Sequence, residues 1–266
     1  MCHRKKIHII LLVLIIVLLF AENSYGQRWK LRRYEVGGGI GVAQVFGDIG
    51  GTMSPQNWMG LKDISLSETR MSFNAFARYK IQPKYAVKSV LHLGFATGDD
   101  KNSKNEIRGN QYRTFLAEFA GQFEYYFVQE EKRYRSSGIY NRRGMLNDYS
   151  RIAFYGFAGL GVLYSKSTHE YPLLRPNDSF KATATICPVI PLGIGAKYII
   201  DSRYSFSAEL GYRYAFSDYV EGYKNIVYSR FNDVYYFLDL SVTYRLKTTT
   251  RNLPAIIDRR YKRYGY

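Results

Sequence analysis

Few residues in this chain have the types and spacing that chemistry requires. Beyond the N-terminal leader only two histidines remain, His92 and His169. His169 stands beside Ser167 and Glu170, the base, nucleophile and carboxylate that hydrolytic sites combine. Three groups this close along one strand or loop rarely reach working geometry, so the trio reads as polar loop chemistry. Gly98 to Glu106 (GDDKNSKNE) offers oxygen ligands of the calcium-loop kind. Lys101 and Lys104 interrupt the ligand set and no glycine follows in register, which leaves a solvated outer loop. Gly37 to Gly41 (GGGIG) lacks the third glycine and the following helix of a dinucleotide site. Gly47, Asp48, Gly50 and Gly51 are turn residues closing the segment before them. Of the two cysteines, Cys2 lies in the leader and Cys187 stands alone, so no intramolecular disulfide or CxxC site is available. The expectation is a non-enzymatic protein with no catalytic residue, no metal and no cofactor.

The remaining ionisable residues fall into two groups with different spacing. Glu35, Arg78, Lys88, His92, Glu118, Glu124, Lys197, Glu209, Arg213, Asp239 and Arg245 each occupy the polar face of an alternating segment, as does Lys80. Charges of both signs facing one another in a narrow interior must pair, because an unpaired buried charge is too costly. These residues are therefore expected to form a plug, with His92 as a hydrogen-bonded member and no diffusive pore. The second group is basic and clustered: Arg133, Arg135, Arg142 and Arg143 interleaved with Tyr134 and Tyr140, then Arg251, Arg259, Arg260, Lys262 and Arg263 near the C-terminus. Arg and Tyr are enriched where interfaces carry their energy, so this group is a candidate docking surface. A solvated basic rim near lipid phosphates, or a tail with no partner, is the plainer reading of the same residues.

The elements that must position both groups are strands. Segment 233–246 puts Val234, Tyr236, Leu238, Leu240, Val242, Tyr244 and Leu246 on one face. Tyr235, Phe237, Asp239, Ser241, Thr243 and Arg245 fall on the other. Segment 204–216 alternates in the same way, and a helix would scramble both sets. Six further segments follow suit: 34–46, 71–81, 85–95, 114–127, 151–164 and 190–200. In 151–164 both faces are apolar or Gly, so its register is open, and in 190–200 Pro191 is placed near the strand start. The glycines of 34–46 leave room for bulky side chains of neighbouring strands. Strands of about 13 residues with aromatic ends suit an eight-stranded antiparallel transmembrane β-barrel of the outer-membrane kind. Segments 82–84 and 201–203 are short turns, whereas 47–70, 97–113, 165–189 and 217–232 are long outer loops. The long 128–150 connection falls on the side of the termini.

The chain begins with Arg4, Lys5 and Lys6, an apolar run from Ile9 to Phe20, and small residues at Ser24 and Gly26. That is a signal peptide over 1–26, too short for a comfortable spanning helix, with cleavage before Gln27. The formal charge is +16; losing Arg4, Lys5, Lys6 and Glu22, three positive charges and one negative, leaves +14. Export removes nucleic acid as a partner and leaves outer-membrane lipids or an acidic protein. The 26 Tyr and 16 Phe fit aromatic girdles. Periodicity cannot tell inside from outside, so a soluble periplasmic sandwich or lipocalin-type barrel is the rival. Strand length, aromatic ends and the leader favour the membrane.

The stretch Tyr34 to Gly51 (YEVGGGIGVAQVFGDIGG) resembles the opening strand and first loop of the PorG-like outer-membrane proteins of the Bacteroidetes type IX secretion system. Phe73 to Tyr79 (FNAFARY), Leu93 to Gly98 (LGFATG) and Phe119 to Tyr126 (FAGQFEYY) are similar to that family in layout. The likeness spans roughly 34 to 246 and consists mostly of Gly/aromatic strand patterns that small barrels share. It implies a non-enzymatic accessory barrel associated with periplasmic ring proteins of the PorK/PorN kind. The chain then divides into a leader (1–26), a periplasmic N-terminal segment (27–33), the barrel (34–246) and a basic periplasmic tail (247–266). The alternative is a stand-alone small barrel for adhesion or envelope stabilisation, acting through its outer loops.

Overall fold

The computed structural model describes residues 27–46, 49, 68–100, 109–130, 151–170, 178–180, 184–225, 232–249 and 252–256. A short 3-10 segment, Gln27–Arg32, leads into ten strands. They are β1 (Tyr34–Phe46), β2 (Arg70–Gln82), β3 (Tyr85–Asp99), β4 (Gln111–Val128), β5 (Ile152–Glu170), β6 (Asp178–Phe180), β7 (Thr185–Ile199), β8 (Tyr204–Ala215), β9 (Tyr223–Asn225) and β10 (Val234–Leu246). Eight of these close into a barrel in the order β1-β10-β8-β7-β5-β4-β3-β2, and β6 pairs with β9 as a separate two-stranded sheet. Neighbours in the barrel are antiparallel, and closure is made by β1 against β10, from Tyr34↔Leu246 to Phe46↔Val234. Nothing in the barrel has a free edge, as a sheet inside a bilayer requires.

The polarity is inverted relative to a soluble barrel. Ile40, Phe73, Phe119, Leu160, Ile194, Leu210 and Leu240 face outward and are roughly half exposed, while Arg78, Lys88, Glu118, Lys197 and Arg213 are buried in the lumen. A soluble lipocalin-type arrangement would place these two sets the other way round. Tyr34 with Tyr79, Tyr85 with Tyr125, and Tyr204 with Tyr244 form outward aromatic pairs near the end that carries the termini. Phe95 with Phe115 and Phe46 with Tyr236 do so near the other. An apolar exterior between two aromatic girdles, over a polar interior, is the pattern of a membrane-spanning barrel. The fold is an eight-stranded antiparallel transmembrane β-barrel.

Several boundaries differ from those expected. β1 is as predicted, but β3 runs on to Asp99, β4 starts at Gln111 and β5 runs on to Glu170, into both ends of 97–113 and the start of 165–189, the segments expected to be outer loops. Their ladder continues through Thr97↔Arg113, Asp99↔Gln111 and Gln111↔Glu170. Beyond the lipid belt the outward residues turn polar, so the apolar/polar contrast ends while the hydrogen bonds do not. β7 begins at Thr185 instead of Ile190, because Ile186, Cys187, Pro188 and Val189 hide the alternation. Pro191 therefore sits inside the strand, and pairing with β5 skips from Ala158↔Leu192 to Gly161↔Val189, where Pro191 has no N–H to give. The β2–β3 turn is two residues, Pro83 and Lys84, and the β7–β8 turn is four, 200–203.

The lumen is filled in two zones. Toward the outer end lie Val45, Leu116, Leu163, Val189, Tyr235 and Phe237, closed over by Val220 from the β8–β9 segment. Val220 donates its N–H to Asp233 Oδ2 at 2.8 Å and accepts the Ser167 hydroxyl at 3.0 Å, while Glu221 Oε1 accepts from Ile49 N at 3.1 Å. Toward the termini the filling is charged. Phe76 lies between these zones, and Gly37 makes space for it: a Cβ there would stand 2.6 Å from its ring and 2.5 Å from the Val242 carbonyl. Gly195 does the same for Tyr155.

Candidate functional site

Strand parity brings all eleven predicted lumen residues inward, and the closed sheet brings them together. Arg78, from the middle of β2, is the hub. Its Nη1 lies 3.1 Å from Glu35 Oε2, its Nε 2.8 Å from Glu124 Oε2 and its Nη2 3.2 Å from Glu209 Oε1. The guanidinium carbon also stands 5.1 Å from the Phe76 ring centre and 5.4 Å from that of Tyr155. A planar fork with five donors is the one side chain that can serve three carboxylates from three strands at once. Glu209 is held further by Lys88 Nζ and by the Tyr155 hydroxyl, each at 2.5 Å. Glu35 lies among four cations, with Lys197 at 2.5 Å, Lys80 at 2.9 Å and Arg245 at 3.5 Å in addition to Arg78.

A smaller cluster occupies the middle of the lumen. His92 Nε2 is 3.0 Å from Asp239 Oδ2, and its ring stacks on Phe237 at 4.6 Å. Its Nδ1 is 3.7 Å from Glu118 Oε1, whose other oxygen accepts the Tyr235 hydroxyl at 2.6 Å and lies 3.5 Å from Arg213 Nε. His92 is thus a member of the charged filling, as its mid-strand position predicted.

One carboxylate was missed. Glu130 was assigned with 128–150 to a periplasmic connection, yet it turns back under the barrel. It contacts Lys80, approaches Lys197 Nζ at 2.7 Å and meets Arg245 Nη2 at 2.9 Å. With it the charged zone and the His92 cluster balance: Arg78, Lys80, Lys88, Lys197, Arg213 and Arg245 against Glu35, Glu118, Glu124, Glu130, Glu209 and Asp239, with Glu221 and Asp233 buried apart from them at the outer end. The cation excess of the predicted inner set, six against five with Lys80 included, was the available signal that an acid was still to come. Burial raises the Glu130 carboxyl, but Lys197, Lys80 and Arg245 outweigh it and hold the group far below the usual carboxylate range. Its contribution is therefore complete above the unfolded value near pH 4.5 and is lost as pH falls toward the depressed folded value. Glu130→Gln should flatten the acid limb of barrel stability by one proton, about 1.4 kcal/mol per pH unit, read from urea midpoints between pH 5 and 3. An unchanged acid limb would mean Glu130 is solvated.

The rim at the termini carries an ordered clasp. Thr248 N donates to Leu31 O at 2.8 Å, and Arg33 N donates to Thr248 Oγ1 at 3.0 Å. Thr248 bridges to Pro254, Ala255 N donates to Lys247 O at 2.9 Å, and the Tyr34 hydroxyl donates to Asn252 O at 2.9 Å. Asn252 takes φ 58°, a left-handed turn position that Asn tolerates. The clasp joins the two ends of the barrel chain and leaves Leu31, Leu253 and Ile256 exposed at 61%, 43% and 62%. All nine predicted docking residues, Arg133, Arg135, Arg142, Arg143, Arg251, Arg259, Arg260, Lys262 and Arg263, lie outside the described residues, as do 1–26 and the calcium-like stretch 101–106.

Two of the catalytic-looking trio, Ser167 and His169, have described side chains, and both lie close to Gly222. Ser167 gives its proton to the Val220 carbonyl and accepts from the Thr114 hydroxyl at 2.6 Å. Gly222 takes φ +76°, and a Cβ there would meet both His169 Nε2 and the Ser167 Cβ.

No family model matches the chain, and no curated protein matches it. Solved structures resemble it in fold. Ail, the attachment invasion locus protein of Yersinia pestis, is 10% identical over 80% of this chain and 98% of its own, with a TM-score of 0.42. Neisserial surface protein A is 12% identical over 80% and 96%, with a TM-score of 0.43. The outer membrane protein OprG of Pseudomonas aeruginosa is 14% identical over 82% and 97%, with a TM-score of 0.38. Likeness at this level extends to the fold alone.

Proposed function

We propose that the chain is a non-enzymatic outer-membrane component of a protein-secretion machine, anchored by its barrel and docking periplasmic ring subunits at the rim that carries its termini. The observation that carries this reading is the clasp. A small barrel whose lumen is filled from end to end has no passage to offer, so its working surfaces are its rims. At the rim of the termini, backbone hydrogen bonds hold Leu31, Leu253 and Ala255, the residue before Ile256, and leave Leu31, Leu253 and Ile256 exposed beside Lys30, Arg32, Arg33 and Lys247. Apolar anchors ringed by cations suit a partner with an apolar pocket and an acidic border. The basic segments 131–150 and 257–266 join the described chain at this rim, after Glu130 and Ile256. The likeness of Tyr34 to Gly51 and of the later strand motifs to PorG-like proteins supports type IX secretion as the machine, with PorK/PorN-like ring proteins as partners.

The clasp changes which variants test the idea. Truncation at Leu246 removes contacts to Leu31, Arg33 and Tyr34, so it disturbs the barrel ends as well as the tail. The informative variants are Leu253→Asp with Ile256→Asp, and truncation after Ile256. Full-length protein solubilised from its own envelope should bring down periplasmic partners, and the double variant should lose at least about tenfold of that capture, since each buried apolar anchor contributes roughly 1.5–3 kcal/mol. Equal capture by the wild type and both variants would overturn docking at this rim and return attention to the outer loops.

A further inference from the structure

The opposite rim holds a surface with three kinds of chemistry stacked in order. On the outward side of β3, β4 and β5, Phe95, Phe115 and Lys166 lie opposite one another, followed by Thr97, Arg113 and Thr168. The Phe95 and Phe115 rings are 5.4 Å apart and belong to the aromatic girdle. Lys166 is therefore level with the last aromatic pair, and Arg113 stands one row beyond it, at the height of lipid head groups. Both are exposed, and neither forms an ion pair with a described residue. Beyond them opens a cleft of about 560 Å3, lined on its polar side by Asp99, Gln111, Arg113 and Thr168 and closed by Glu68 and Arg70 from the edge of β2. The Gln111 amide donates to Asp99 Oδ2 at 3.1 Å.

Each layer selects a different part of one ligand. The apolar outward face of β3–β5 accepts acyl chains. Two cations at the belt edge accept a phosphate, since long basic side chains reach the interface while their stems stay on apolar surface. The Glu68 and Asp99 carboxylates and the Gln111 amide of the cleft accept hydrogen bonds from hydroxyl groups, as a sugar presents, while Arg70 offsets their charge. An ethanolamine or glycerol head group has at most about two hydroxyls to offer that cleft, and a free anion makes no use of the apolar face. We infer that this face binds a phosphorylated glycolipid of the outer leaflet, with its phosphate on Arg113 and Lys166 and its sugar in the cleft. The inference rests on the membrane-spanning fold and is independent of docking at the other rim.

The test uses full-length protein in detergent micelles, titrated with bisphosphorylated lipid A, with the same lipid A after enzymatic dephosphorylation, and with inorganic phosphate, binding being followed by native mass spectrometry. The variant is Arg113→Ala with Lys166→Ala. Its control is Lys84→Ala with Arg203→Ala, which removes the same charge at the periplasmic turns. Gel mobility of unheated samples reports whether each variant keeps its barrel, and Arg113→Gln with Lys166→Gln replaces the alanine pair if it does not. Wild type and control should bind lipid A alike. The Arg113/Lys166 variant should bind it at least about tenfold more weakly, and dephosphorylated lipid A should lose a similar factor on wild type. Equal binding by the variant, or an equal loss in the control, would overturn the site. Competition by inorganic phosphate at the lipid's own concentration would reduce it to a general anion site and overturn the glycolipid assignment.

Discussion

Replacing Arg78 by methionine is expected to destabilise the barrel by about 3–5 kcal/mol, the cost of removing one partner from a buried ion network. The guanidinium is fully buried and contacts Glu35, Glu124 and Glu209. Deleting it leaves Glu124 without a cation among its described contacts, because the Tyr126 hydroxyl at 2.9 Å is its other partner. Glu35 and Glu209 keep Lys197, Lys80 and Lys88, so the loss should concentrate on Glu124. A double variant Arg78→Met with Glu124→Gln should then recover part of the stability, giving a positive coupling in a mutant cycle. Arg78→Lys should fall between, since one ammonium cannot reach carboxylates on three strands as the fork does. Urea midpoints of the wild type, Arg78→Met, Glu124→Gln, the double variant and Arg78→Lys, each folded into lipid vesicles, would measure the cycle and the intermediate case. If Arg78→Met unfolds at the wild-type midpoint, the lumen is wet enough to solvate the orphaned acid, and the filled interior described above is wrong.

The same chemistry explains what could be read before the structure and what could not. β1, β8 and β10 were legible because their outward residues are apolar and their inward ones polar or Gly, which is the contrast that period-two reading detects. Parity then delivers the lumen charges carried by strands, from Glu35 to Arg245, since a side chain's face follows from its position once the strand is fixed. Where the contrast vanishes, the reading fails. β5 and the start of β7 are apolar on both faces, as the outer half of the lumen is built from Leu116, Leu163 and Val189 and not from charges. The extensions of β3 to β5 are polar on both faces, because one looks at water and the other at Asn110, Thr114 and Ser165, which are buried. Glu130 and the 247–256 clasp follow no period at all. They are set by tertiary partners, Lys80 and Arg245 in one case and Leu31, Arg33 and Tyr34 in the other, that lie more than 45 residues away in sequence.

Whether the apolar face meets lipid is decided by Leu240→Arg. Leu240 lies at the centre of β10, faces outward with Ile40 and Ala208 as its cross-strand neighbours, and is 45% exposed. In a bilayer an arginine at the midplane of the lipid face costs about 2–4 kcal/mol, whereas near the interface it costs about 0–1. Thr97→Arg, outward on the extension of β3 beyond the Phe95 and Phe115 pair, supplies that interfacial comparison. The expected result is a large drop in urea midpoint and folding yield into vesicles for Leu240→Arg, with Thr97→Arg close to wild type. A soluble barrel predicts the reverse ranking of risk: a surface Leu→Arg change then falls within about 0.5 kcal/mol and improves solubility. The depth dependence matters more than either value alone. Charge repulsion would penalise Thr97→Arg the more, because Thr97 stands opposite Arg113 while Leu240 stands between Ile40 and Ala208, and a local packing defect would be matched by Leu240→Ala. Only a hydrocarbon layer makes the penalty specific to charge and steepest at mid-strand.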